Sequence, residues 1–459
     1  MIRITGLALV CALGITIHAQ SYKVLNFFYT PDAPTGLVAQ SRGGYLLSMD
    51  RIGEIFRSKT SGEYPTVLHD FGGPSRTTGG LTLGRDGRFY GATPYGGIHD
   101  LGTIFQMTPD GIVKTLHEFD GVADGRYPQA RPIQSLYGDF YGTTSGDDTH
   151  PGTVYKIDGN GGFTNLHAFA GPDGANPIGA LVQGTNYWFY GTTSNGGTHG
   201  AGTIFRISSS GAFEVLFSFD GTHGANPTAG LIQANDGNFY GVTSLGGPYQ
   251  GGVVFKMTPA RQVTILHNFT GGSWGSGPTA GNDGAGPLWD LTQATDGYLY
   301  GTTFGGGTFG WGVLFRISTT AEFTVLHNFS VNPACHDAFA CFDGASPVAV
   351  IQHTNGFLYG FTESGGQMGN GSLFRFDLGQ APFVTYLPSY GRVGMTADIL
   401  GQYFTPASEV FFNGVRAQII KVETTYMRVV VPDGATSGWI TVTTTKGMLK
   451  SNKVFLVRP

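Results

Sequence analysis

Apolar residues in this chain come in short runs, many alternating with polar ones, and glycine-rich turns separate the runs. No stretch keeps the 3.6-residue period of an amphipathic helix, so the pattern predicts strands throughout. Residues 230–269 show the plan. A short apolar run, Gly230-Leu231-Ile232-Gln233, reads as an innermost strand, and Asp236-Gly237 as a two-residue hairpin turn whose residues tolerate positive φ. Phe239–Thr243 is a second strand, followed by a loop with Gly246-Gly247. Val253–Met257 carries large apolar groups at alternating positions, as a third strand would, and Val263–Phe269 is the outer strand.

The plan repeats. A Phe/Leu-Tyr-Gly tripeptide has its tyrosine at 90, 141, 190, 240, 300 and 359, with a degenerate first copy at Gly44-Tyr45-Leu46-Leu47. A Gly-Thr-Ile-Phe-Arg element starts at Gly53, Gly102, Gly152, Gly202, Gly252, Gly312 and Gly371. A Val-Leu-His-x-Phe element ends at Phe71, Phe119, Phe169, Phe219, Phe269 and Phe329, and the last repeat has no clear copy after Arg375. The missing copy, Val24-Leu25-Asn26-Phe27, stands ahead of the first tripeptide. A ring of sheets must seal its edges, and an N-terminal strand that completes the last sheet would seal them. The sequence therefore predicts an all-β chain: a seven-bladed β-propeller over residues 21–381, closed by an N-terminal strand, then a small immunoglobulin-like β-sandwich over 382–459.

Composition narrows the class. There are 75 glycines and 13% aromatics, but only 12% charged residues, which suits an ordered β protein and not a disordered one. The net charge of −5 comes with no basic cluster, so the chain lacks a nucleic-acid footprint. Residues 1–20 read as a secretory signal: Arg3 supplies the positive region, Ile4 to Ile17 the apolar one, and Ala19 a small residue near a cleavage point. The expected location is secreted or cell-surface, with no stable membrane insertion once the signal is removed. Cys11 would leave with the leader. Cys335 and Cys341 lie six apart in one loop, where a local disulfide is chemically reasonable in an oxidising compartment.

The Tyr-Gly-Thr-Thr, Gly-Gly, Gly-Thr-Ile-Phe-Arg and Leu-His-x-Phe blocks, recurring in order over about residues 22–380, resemble the GloVer tandem-repeat family of bacterial exported proteins. That resemblance implies a surface or secreted location and no established activity. From about residue 382, Gly391 and Gly394, Gly401-Gln402-Tyr403-Phe404, Val410 to Gly414, Val429 to Pro432 and Ile440-Thr441-Val442 resemble an IPT/TIG domain. Such a module implies a spacer or interaction role.

Candidate chemistry is sparse. The long second-to-third and inter-blade loops should share one face, opposite the tight Asp-Gly turns, so a site is expected on that face or at the mouth of the axial channel. One loop position reads His99, His150, His199, Tyr249 and Phe309 in successive blades, with Trp311 nearby and Trp274 in a long insertion. Equivalent positions on neighbouring blades stand on the order of 10 Å apart, too far for a shared zinc ion, so no metal and no cofactor are expected. These rings could stack on sugars or peptide side chains, or simply pack between loops. Histidines 69, 117, 167, 267 and 327 recur in the outer strand and read as architecture. So does the Asp-Gly-x-x-Pro pattern that begins at Asp124, Asp173, Asp283 and Asp343. The leading expectation is an exported, non-catalytic binder of a glycan or protein through the long-loop face. The competing ones are a secreted carbohydrate-active enzyme working at the axial mouth, and a passive scaffold.

Overall fold

The computed structural model describes residues 21–28, 36–50, 52–72, 79–271, 283–331, 343–366, 369–388 and 390–458. These residues form strands and no helix. Six four-stranded antiparallel sheets have their strands in chain order. In one of them Val182–Gln183, Phe189–Thr193, Thr203–Ile207 and Phe213–Ser218 lie side by side. A further sheet is completed from the other end of the chain. Tyr22–Phe27 pairs antiparallel with Ser372–Phe376, with Tyr22 opposite Phe376 and Phe27 opposite Ser372.

The recurring tripeptide has a packing reason. Its tyrosine lies against the phenylalanine of the next sheet, at 3.8 Å between ring centroids for Tyr90 and Phe140 and 3.9 Å for Tyr141 and Phe189. Its glycine lies under the large ring of the third strand: a Cβ on Gly191 would fall 2.6 Å from Phe205 Cζ. The second and third strands are buried on both faces, because each sheet is sandwiched between neighbours. The hairpin aspartate also holds the tyrosine hydroxyl, as Asp236 does for Tyr240 at 2.6 Å.

A second repeated contact escapes a hydrophobic reading. The innermost strand ends in glutamine, and its Oε1 accepts a turn N–H from the preceding sheet. Gln134 takes Arg85, Gln183 takes Leu136, Gln233 takes Thr185, Gln293 takes Asn235, Gln352 takes Thr295, and Gln40 takes Thr354. The last of these joins residues 314 apart and closes the circuit. One junction lacks the glutamine, because Leu83 occupies its place. There Arg42 reaches across to the Arg85 carbonyl instead, at 2.5 Å.

Residues 385–457 form two further sheets around one core that includes Val384, Ile399, Phe412, Met427, Val442 and Phe455. In the first sheet Thr385–Leu387, Thr396–Leu400, Tyr426–Val430 and Gln418–Glu423 are neighbours. In the second, Gly447–Val457 pairs with Gly438–Thr444, which pairs with Glu409–Phe412. This C-terminal unit seats on the tight-turn ends of the repeat sheets. Asp398 is buried and binds Arg42, and it also accepts Arg428 Nε at 2.8 Å and the Tyr426 hydroxyl at 2.9 Å. The Tyr390 hydroxyl donates to Gln183 Oε1 at 2.9 Å, and Arg458 donates to the Thr185 carbonyl. The anchor Asp398 thus sits at the junction where the glutamine circuit is interrupted.

Candidate functional site

Two places on the repeat sheets carry residues that the architecture does not consume: the long-loop face and the axial chamber. On the long-loop face, His99, His150, His199, Tyr249, Phe309 and Trp311 are all exposed. Tyr249 is 55% exposed, Phe309 42% and Trp311 44%, so each is partly covered and partly open to solvent. His150 and His199 turn Nδ1 to the hydroxyls of Thr149 and Thr198 next to them in the chain. Nothing draws the three histidines together, and among the described residues no group of three His, Cys, Asp or Glu could hold a metal ion. Trp274 and the Cys335–Cys341 pair lie outside the described residues.

Four of the five outer-strand histidines are fixed by two contacts each, while His69 meets Phe71 edge-on. Nε2 meets the aspartate of the following loop: His117 with Asp124 at 2.8 Å, His167 with Asp173 at 2.8 Å, His267 with Asp283 at 3.0 Å, and His327 with Asp343. The ring lies flat on the first aromatic of the next outer strand, as His167 does on Phe213 at 3.7 Å and 5°. Each aspartate also receives a loop N–H, as Asp173 does from Ala170. Each couple thus ties an outer strand to the loop that follows it. In one sheet Phe217 replaces the histidine, and His223 pairs with Asp220 in the loop.

The axial chamber has a volume of about 650 Å³. Its walls are the innermost strands and its floor is the C-terminal unit, through Tyr390, Trp439 and Lys453. Three residues before the glutamine, successive strands place Leu37, Gly80, Arg131, Ala180, Gly230, Asp290 and Ala349 at one level. That level is tight, since a Cβ on Gly230 would meet the Ala180 carbonyl oxygen at 2.5 Å. Arg131 and Asp290 face one another there, 3.5 Å apart, on sheets that are not neighbours. Asp290 also accepts the Gly230 N–H at 2.7 Å.

Lys453 comes from a different source. The pairing of Gly438–Thr444 with Gly447–Val457 slips between Trp439 and Thr441, and residues 451–453 form the resulting bulge. Ser451 Oγ ties this bulge down by donating to the Lys453 carbonyl and accepting from Ile440 N. A bulge re-aims a side chain, and here it turns Lys453 to the chamber. The side chain is accessible, yet protein surrounds the space it reaches, and this burial pushes its pKa down. Burial likewise lifts the Tyr390 hydroxyl to about 12, with Tyr187 and Tyr137 adding to the rise and Arg85 opposing it. The chamber is lined by three cations, Arg85, Arg131 and Lys453, and by one carboxylate, Asp290. Arg85 is committed to the Leu136 and Ser135 carbonyls.

Comparison with known sequences decides the family. The model of the Gloeobacter/Verrucomicrobia repeat matches residues 130–282 and 279–397. The chain belongs to that repeat family. No curated protein matches it. Among solved structures, a fungal alcohol oxidase in complex with copper aligns with a TM-score of 0.52 at 12% identity, over 92% of this chain and 98% of its own. Oligogalacturonate lyase from Vibrio parahaemolyticus aligns at 0.50 and 10% identity, over 78% of this chain and 93% of its own. At these identities the likeness concerns the all-β, propeller-like fold alone. Three of the histidine–aspartate couples and four of the glutamine bonds fall within the matched span, so they are features of the Gloeobacter/Verrucomicrobia repeat as this chain carries it. Arg131 and Asp290 break the repeat at a position held elsewhere by Leu, Gly or Ala. That substitution is the signal by which they could have been found. Lys453 gave no such signal, because its place depends on how the C-terminal unit docks.

Proposed function

We propose that this chain is an exported seven-bladed propeller with an IPT/TIG-like immunoglobulin fold at its C-terminus, and that it binds a glycan through its long-loop face. The observation that carries this reading is the division of the two faces. The C-terminal unit occupies the tight-turn face through Asp398, Tyr390 and Arg458. The opposite face presents Tyr249, Phe309 and Trp311 in loops of two consecutive sheets. Flat aromatic rings beside glycine-rich loops suit the apolar faces of sugars, and they stack without large conformational cost.

A hydrolase reading asks for two converging carboxylates, and the chamber lining offers one, already bonded to Arg131 and Gly230. This favours binding over hydrolysis. The test is a glycan array with the chain from residue 21 onward, run beside a Tyr249→Ala/Phe309→Ala/Trp311→Ala variant. Binding that falls at least tenfold in the variant supports the reading. An array without hits, or equal binding by the variant, overturns it; capture of a protein ligand lost in the same variant would replace sugar with protein.

A further inference from the structure

The axial chamber stands apart from the long-loop rim, and its chemistry differs. The chain as a whole is acidic, with a net charge of −5, yet cations outnumber carboxylates three to one in the chamber lining. Among the described residues Lys453 Nζ has no hydrogen bond or ion pair, although the other chamber cations are engaged. An ammonium in a space walled by protein is less well hydrated than one on an open surface, and no carboxylate stands beside this one to compensate. Its pKa moves down accordingly, and the other titratable groups lining the space are Arg85, Arg131, Asp290, Tyr386 and Tyr390. A guest anion would relieve that cost. Arg131 adds a second cation, and Asp290 already acts as an internal anion upon it.

We propose that the axial chamber binds a small organic anion, a carboxylate on a hydroxylated body, held between Lys453 on the floor and Arg131 on the wall. The volume lies in the usual range for small-molecule sites. Body contacts are available from Trp439 on the floor and from Gln233, Asn235 and Thr292 on the walls. A carboxylate fits better than a bare inorganic anion, because most of the lining is aliphatic or amide and the third cation, Arg85, already donates to the Leu136 and Ser135 carbonyls.

The test is calorimetric titration of the chain from residue 21 onward with D-glucuronate, D-gluconate and citrate, against neutral D-glucose and sodium sulfate. The expected result is one saturable site for at least one carboxylate, with no site for glucose or sulfate. Lys453→Met should weaken that binding at least tenfold. Asp290→Asn keeps an acceptor for the Gly230 N–H but frees Arg131, and it should tighten binding several-fold, a gain that misfolding could not produce. The Tyr249→Ala/Phe309→Ala/Trp311→Ala variant should bind the carboxylate unchanged, which separates this site from the rim. Absence of binding by all three carboxylates, equal binding of sulfate, or indifference to Lys453→Met would overturn the proposal.

Discussion

Tyr22 lies flat on His327, with ring centroids 3.7 Å apart and planes 3° from parallel, although 305 positions separate them in the chain. It occupies the place that Phe163, Phe213 and Phe323 take on His117, His167 and His267. Its hydroxyl also donates to the Asp343 carbonyl at 3.2 Å. The first described strand is therefore the outer strand of the last repeat sheet in its side-chain contacts as well as its pairing. Tyr22→Ala should cost about 3 kcal/mol by loss of buried ring area and stacking. Tyr22→Phe should cost about 1 kcal/mol, for one hydrogen bond. Urea unfolding of the two variants checks the order.

The recurring tripeptides, the outer-strand histidines and the displaced first strand were legible because each repeats in the sequence, and repetition exposes packing roles directly. Repetition alone marks the histidines as architecture, and for His117, His167, His267 and His327 the partners are the aspartates of Asp-Gly-x-x-Pro. In the sequence the glutamine of Ile232-Gln233 reads only as the end of an apolar run. Its hydrogen bond goes to a different sheet, and a pattern read along one strand does not carry that relation. The seat of the C-terminal unit was illegible for the same reason: Asp398 and Arg42 are 356 residues apart and neither recurs.

The glutamine circuit predicts a uniform penalty. Gln233→Leu removes the acceptor for Thr185 N–H and the donor to the Gly237 carbonyl. The loss should be about 1–2 kcal/mol, with the sheet itself intact. Chemical denaturation of this variant and of Gln293→Leu should give similar values, whereas Leu83→Ala, at the junction without glutamine, should show only a loss of packing.

Asp398 predicts where the C-terminal unit lets go. It is buried and faces two guanidinium groups, so Asp398→Ala leaves Arg42 and Arg428 without their counter-charge. The expected cost is about 3–5 kcal/mol, concentrated in docking. Limited proteolysis should then cut near residues 377–383 much faster than in the parent chain, while the repeat sheets resist.

His353 predicts the acid limb of stability. It is buried in the last repeat sheet, where Nδ1 accepts Asn355 N–H and Nε2 faces the Gly44 carbonyl, an arrangement that fits the neutral ring. Burial lowers its pKa to about 4, against smaller opposing contributions from Asn355 and Gly44. The unfolded chain takes up the proton near pH 6.5, and the folded chain resists until about 4. Stability should therefore fall as pH drops through that window, by up to roughly 3 kcal/mol, and its contribution should be level above it. His353→Gln should flatten the slope of unfolding free energy against pH between those limits.

The joint between the two ends of the repeat array underlies both proposed binding surfaces, since each presupposes a closed ring. Hydrogen exchange of the backbone amides of residues 22–27 tests that joint most directly. Closure predicts protection comparable to that of the equivalent outer strand, residues 163–168. Exchange of 22–27 at the rate of an unstructured peptide, with 163–168 still protected, would contradict it.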